Sequence, residues 1–172
     1  QLITAKPSKF SERPAERVRG EALVKMSKKS ELLFFDSNVY INLLRFPEYE
    51  TRLERFFQGA YLYVINKIVL MELWAGVRTK AEENILELHQ QQLPLVGLSD
   101  DNFIITGRIL SKMRDEQRLE PKMRRRLTWD ILIALSAMEN RAVIVTENES
   151  DFKKIQKFVD FEYLAVGGEK AK

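Results

Sequence analysis

The chain has 172 residues, of which 31% are charged and 45% hydrophobic, with a formal net charge of +3, one histidine and no cysteine. This is the length and balance of one ordinary globular domain with a sizeable core. Without cysteine there are no disulfides, thiolate zinc sites or thiol nucleophiles, and a lone His89 argues against histidine metal sites and Ser–His–Asp catalysis. The remaining chemistry belongs to carboxylates, amides, hydroxyls and basic groups.

No apolar run approaches the roughly 20 residues of a membrane span. No signal-peptide pattern stands out, so the expected location is the cytoplasm. The positive charge is unevenly placed. Residues 1–31 hold eight Lys/Arg against four Glu, a net of +4, which leaves the other residues at −1. Within those, Lys112 to Arg126 carries seven Lys/Arg against three acids and ends in "KMRRR". Two basic segments on a slightly acidic body are the electrostatic footprint of a polyanion binder, or a solvated face and a mobile arm.

In chain order, residues 1–30 read as a basic extension outside the core, with a short helix near Ala15–Lys25 and Met26 as a candidate alternative start. Leu32–Phe35 is an apolar run and reads as a strand buried on both faces. Asn38–Arg45 and Glu50–Gln58 read as helices stopped by Pro47 and Gly59. Tyr61–Ile65 is a strand, Ile68–Val77 and Lys80–Gln92 are helices, and Leu93–Val96 is a strand. Ser99 is an N-cap for a helix reaching about Gln117. Pro121 and the arginine run break the pattern, and Thr128 then caps a helix over Trp129–Asn140. Ala142–Val145 is a second deeply buried strand, Lys153–Phe158 a short helix and Phe161–Val166 a last strand. His89 in "ELHQQQ" reads as a solvated surface residue. Trp74 and Trp129 read as packing residues, and Glu147 and Glu149 as exposed loop acids. Strands alternating with helices predict an α/β fold, a three-layer α/β/α sandwich around a central, mostly parallel five-stranded sheet.

In such a sheet, ligands bind beyond the carboxyl ends of the strands. Asp36 follows the first strand and Asp151 follows the fourth. Asp130 opens the helix that leads back into the fourth strand, and Glu72 lies in the first turns of the helix after the second. Four acids distant in sequence are thus expected at one concave place. Crowded carboxylates repel one another and must take up protons or bind a cation. An oxygen-only donor set favours Mg²⁺ or Mn²⁺ over zinc. Such an ion, with open positions for water and phosphate, equips a site for metal-assisted phosphodiester cleavage, and the basic segments would hold the backbone.

These residues carry a family likeness. "LLFFDSNVYINLL" resembles the first motif of PIN-domain ribonucleases, "VLMELWAGV" the second with Glu72 as its acid, and "DILIALSAM" the third with Asp130. "VIVTENESDFKKI" resembles the fourth, with Asn148 and Asp151 as its polar pair. The likeness spans about residues 31–166, and the compact form is most similar to VapC-type toxins of toxin–antitoxin pairs. It implies a PIN-like nuclease domain over 31–168, which leaves the basic extension over 1–30 and a tail over 169–172 outside it. It further implies an Mg²⁺- or Mn²⁺-dependent endoribonuclease in which Asp36, Asp130 and Asp151 bind metal. Glu72 would help orient the attacking water, and Ser37, Asn148 and Thr146 would support the cluster. Arg124, Arg125 and Arg126 are expected to contact RNA or a partner. A homodimer and a small antitoxin protein are implied as partners, with no membrane association.

Each acid also has a plainer reading. Asp36 is a possible helix N-cap, although Ser37 could cap instead and free it. Asp130 would be favoured by its helix dipole, and Asp151 could cap the helix that follows. The main rival function is a PIN-like domain that binds nucleic acid or protein without cutting. A third reading is a structure-specific nuclease acting on DNA flaps.

Overall fold

The computed structural model of the chain describes residues 31–117 and 120–167. The expected helix near Ala15–Lys25, Met26 and the tail over 169–172 lie outside them. Among the described residues six strands and seven α-helices follow one another: β1 (Glu31–Phe35), α1 (Ser37–Arg45), α2 (Glu50–Phe57), β2 (Tyr61–Tyr63), β3 (Ile65–Asn66), α3 (Lys67–Gly76), α4 (Lys80–Gln92), β4 (Leu95–Val96), α5 (Asp101–Gln117), α6 (Pro121–Asn140), β5 (Ala142–Thr146), α7 (Glu149–Ile155) and β6 (Glu162–Ala165). A short 3-10 turn, Pro47–Tyr49, joins α1 to α2.

The main sheet has the order β2-β1-β5-β6 and every pairing in it is parallel. The two central strands are the two apolar runs picked out in the sequence. Leu33, Phe34 and Phe35 of β1 and the whole of β5 are buried, as strands covered by helices on both faces must be. Phe35 packs edge-on against Tyr40 and Phe57, so the end of β1 is clamped by rings from α1 and α2. That rigid end carries Asp36.

The sheet departs from the expected five strands at Val64. The Val64 N–H still donates to Leu33 O on β1 at 3.0 Å, whereas the next donor, Ile65 N, turns to Pro94 O at 2.9 Å. The predicted strand Tyr61–Ile65 therefore divides: β2 stays on the main sheet and β3 pairs in parallel with β4 in a separate two-stranded sheet. Leu93, expected in the strand, instead ends α4, its N–H donating to His89 O.

The larger correction concerns α6. It begins at Pro121, not after Thr128, because Glu120 is extended and proline at the first helical position loses no hydrogen bond. The arginine run that follows consists of good helix formers. The Thr128 hydroxyl donates to Arg124 O at 2.9 Å in mid-helix and caps nothing. Two smaller corrections follow. The last helix spans Glu149–Ile155, earlier than Lys153–Phe158, so Glu149 is helical, not a loop acid. His89 is buried against the Tyr40 ring, 6.0 Å between centroids, and burial pulls its pKa down to about 4, so it is neutral core packing.

Candidate acidic site at the strand ends

Asp36 sits at the carboxyl end of β1, where its backbone N–H donates to Val145 O on β5 at 2.8 Å. Its side chain is buried and fully engaged. Oδ1 accepts the Ser37 N–H at 2.8 Å, and Oδ2 accepts both the Asn38 amide and the Thr146 hydroxyl at 2.7 Å. The plain and functional readings therefore coincide: Asp36, not Ser37, is the N-cap of α1, and it also points into the cluster. Burial raises its pKa, against the pull of these hydrogen bonds.

Thr146, the last residue of β5, is a hub. Besides donating to Asp36, its hydroxyl accepts the Asn148 backbone N–H at 2.9 Å and the Asn38 amide at 3.3 Å. Asn38 was not picked out from the sequence. It lies two residues beyond Asp36 in "DSN", and its amide oxygen also accepts the Glu147 N–H, which ties α1 to the loop after β5.

Asn148 bridges two more acids, its amide donating to Asp130 at 3.3 Å and to Asp151 at 3.2 Å. Because α6 starts at Pro121, Asp130 stands about 14 Å along the helix, beyond the reach of the N-terminal dipole. The dipole explanation for an acid at this position falls away. What remains is an acid under stress. Burial, then the charges of Asp36, Asp151 and Glu72, raise its pKa to about 7, with Arg126 opposing. Glu72 on α3 is half-buried, with the Ser37 hydroxyl favouring its charged form. Burial and the Asp36 charge raise its pKa. Asp130 thus senses all three of the other acids, which occupy one electrostatic neighbourhood.

Asp151 behaves differently. Burial pushes its pKa up, but Lys154, Asn148 and Arg126 outweigh burial and hold it below the usual carboxylate range. Lys154 reaches Oδ1 at 2.8 Å and Arg126 reaches Oδ2 at 2.7 Å, while the carboxylate itself is 1% exposed. Asp151 lies inside the first turn of α7 and is not its cap. Lys154, three residues on, does not stand out in the sequence as a partner, because the helix expected there begins only after Asp151. Of the three arginines expected to contact RNA, Arg126 is thus committed to an acid of the cluster.

Every oxygen donor here is hard, and four acids share the cluster with two cations, both of which sit on Asp151. That donor chemistry suits a divalent ion such as Mg²⁺ or Mn²⁺. In the present arrangement, no group of three acids among the described residues is set to hold a metal ion. No helix of the described residues is long and apolar enough to cross a membrane.

The family model for the PIN domain matches residues 33–158. Among solved structures, VapBC-1 from nontypeable Haemophilus influenzae superimposes with a TM-score of 0.61 at 19% identity, covering 80% of this chain and 99% of that one. VapBC2 from Rickettsia felis, solved bound to a DNA fragment from their promoter, gives 0.57 at 18% identity over 78% and 98% of the two chains. DNA-bound VapBC from Salmonella typhimurium gives 0.55 at 21% identity, over 78% and 98%. No curated protein matches the sequence.

Proposed function

Because this chain belongs to the PIN domain family, we propose that it is an endoribonuclease dependent on Mg²⁺ or Mn²⁺, and the toxin of a toxin–antitoxin pair. The observation that carries the reading is Asp130: an acid whose pKa rises to about 7 among three others is kept where a cation is wanted. Asp36 and Asp130 would hold the ion. Asp151 would join them when Arg126, whose side chain is 60% exposed and free to swing outward, releases it. The ion, when bound, would lower the pKa of a water, neutralise the phosphate and stabilise the leaving oxygen.

The chain's own residues prepare the site. Ser37, Asn38 and Thr146 fix the Asp36 carboxylate in one orientation, so no reorganisation is needed when charge develops beside it. Asn148 holds Asp130 and Asp151 at a common distance from its amide. Glu72 completes the cluster and accepts a proton from the attacking water. Arg126, once withdrawn from Asp151, is placed to meet the substrate phosphate. The VapBC structures that this fold resembles are the reason to propose a small antitoxin as partner, and a homodimer belongs to the same proposal.

The test is cleavage of single-stranded RNA with millimolar Mn²⁺ or Mg²⁺ against EDTA. Metal-dependent cleavage that drops at least about 100-fold in Asp36→Asn is expected. RNA binding with no cleavage under any divalent ion would instead favour a PIN-like domain that binds without cutting.

A further inference from the structure

The three consecutive arginines on α6 divide between two sites. Arg126 turns to Asp151, while Arg124 and Arg125 line a separate cavity of about 380 Å³, together with Arg114 and Ser111 of α5 and Thr128. No acid is among its lining residues. Three guanidinium groups facing one cavity repel each other unless an anion is present. Arg114 does have a counter-ion in Asp115 at 2.8 Å, but both side chains are more than half exposed and such a pair holds little. Arg124 and Arg125 enter no ion pair among the described residues. The Arg124 Nε is buried without a hydrogen-bond partner, a donor that the protein leaves unsatisfied at a cost.

Gly107 on α5 contributes to the same wall. A Cβ built there would meet nothing within 4 Å, so packing does not require glycine, and glycine within a helix weakens it. Its missing side chain instead keeps the cavity open between the two helices. Leu110 and Pro121 complete the lining, and the planar guanidinium groups match the oxygens of a phosphate. The volume is at the small end for a ligand pocket, enough for a phosphate with part of its sugar.

Arg125 precedes Asp130 by five residues, about 7 Å along the helix axis. The two residues are also about 140° apart around that axis, so the cavity and the acids lie on different faces of α6, and an RNA strand would pass around the helix to reach both. We propose that this cavity is a subsite for a backbone phosphodiester of single-stranded RNA, on the other face of α6 from the acids. The assignment of RNA rests on the nuclease reading above; the anion site itself does not.

The experiment is fluorescence anisotropy of the full chain with a labelled 12-nucleotide single-stranded RNA in EDTA, over a salt series. In Arg114→Ala/Arg125→Ala, both positions being exposed, affinity is expected to fall about tenfold or more. The slope of log K against log salt should become shallower by about 1.4, two single-strand phosphate contacts. Gly107→Glu, which puts a carboxylate into the cavity and suits a helix better than glycine, should lose affinity as well. Arg78→Ala, at an exposed loop position away from the cavity, should retain both affinity and slope. Unchanged affinity and slope in the double variant and in Gly107→Glu overturn the subsite, as does a wild-type chain that fails to bind RNA. So does a double variant that loses a protein partner while RNA binding stays intact. Cleavage in Mn²⁺, read in parallel, separates the two claims. RNA binding lost in the variants with no cleavage by wild type keeps the subsite and removes the nuclease. Wild-type cleavage with unaltered binding by the variants does the reverse.

Discussion

Asp130 on α6 and Asp151 on α7 share the Asn148 amide, yet their environments push them in opposite directions. The folded pKa of Asp130, about 7, is above its unfolded value, so its ionisation opposes folding. Below the unfolded pKa both states hold the proton and nothing is lost; stability then falls as pH rises toward 7 and levels off above it. Asp151 is depressed, so its contribution is present above the unfolded pKa and is lost as pH falls through the folded one. Asp130→Asn in EDTA should therefore stabilise the fold by about 1–3 kcal/mol at pH 8, roughly 3–9 °C in melting temperature. The gain should shrink toward pH 4, and a gain independent of pH would contradict the assignment. Arg126 makes a second residue-scale prediction. If its guanidinium competes with a divalent ion for Asp151, Arg126→Ala should lower the Mn²⁺ concentration at half-saturation by about threefold or more. Calorimetric titration reads this directly, and weaker Mn²⁺ binding in the variant would assign Arg126 a supporting role instead. The acids themselves were legible because each follows a buried strand or sits in an apolar context. Asn38, Lys154 and the route of Arg126 were not, since a hydrogen-bond partner is chosen by tertiary geometry that no local pattern encodes.

Among the elements, α6 matters most, because its early start alters the meaning of everything on it. The sequence pattern suggested a break at Pro121 and a cap at Thr128, whereas Pro121 is a helix opener and Thr128 bonds back to Arg124. The extra turns give Arg124, Arg125 and Arg126 fixed directions and bring the first two against α5. At its other end, α6 closes on Arg141 with φ +51°, the left-handed conformation that helix ends favour and that side chains resist. Arg141→Gly should thus stabilise the domain by up to about 1 kcal/mol, visible as a higher urea midpoint at constant slope. A lower midpoint would mean that the arginine side chain makes contacts that outweigh the backbone strain. Elements with a buried face, β1, β5 and α1, lie within a residue or so of where their sequence pattern sets them. The split at Val64 was not legible, since β2 and β3 form one uninterrupted apolar stretch and only the competing acceptor at Pro94 divides them.

At the scale of the molecule, a parallel sheet with order β2-β1-β5-β6 puts the ends of its two central strands side by side. The helix that leads into β5 and the helix that follows β3 bring Asp130 and Glu72 to the same edge. That convergence follows from topology, which is why alternation of strand and helix signals was enough to anticipate it. Topology does not fix the charge balance within the cluster, where two cations already attend Asp151 and leave the other three acids short of one. The account therefore turns on whether the folded chain takes up a divalent cation at these acids. The most direct measurement is the melting temperature of the full chain at pH 7.5 with and without Mn²⁺, beside Asp36→Asn. Binding at about tenfold above the dissociation constant adds about 1.4 kcal/mol. A rise of about 3–5 °C is therefore expected in the wild type, and little or none in the variant. No shift in the wild type, or an equal shift in both proteins, would contradict it.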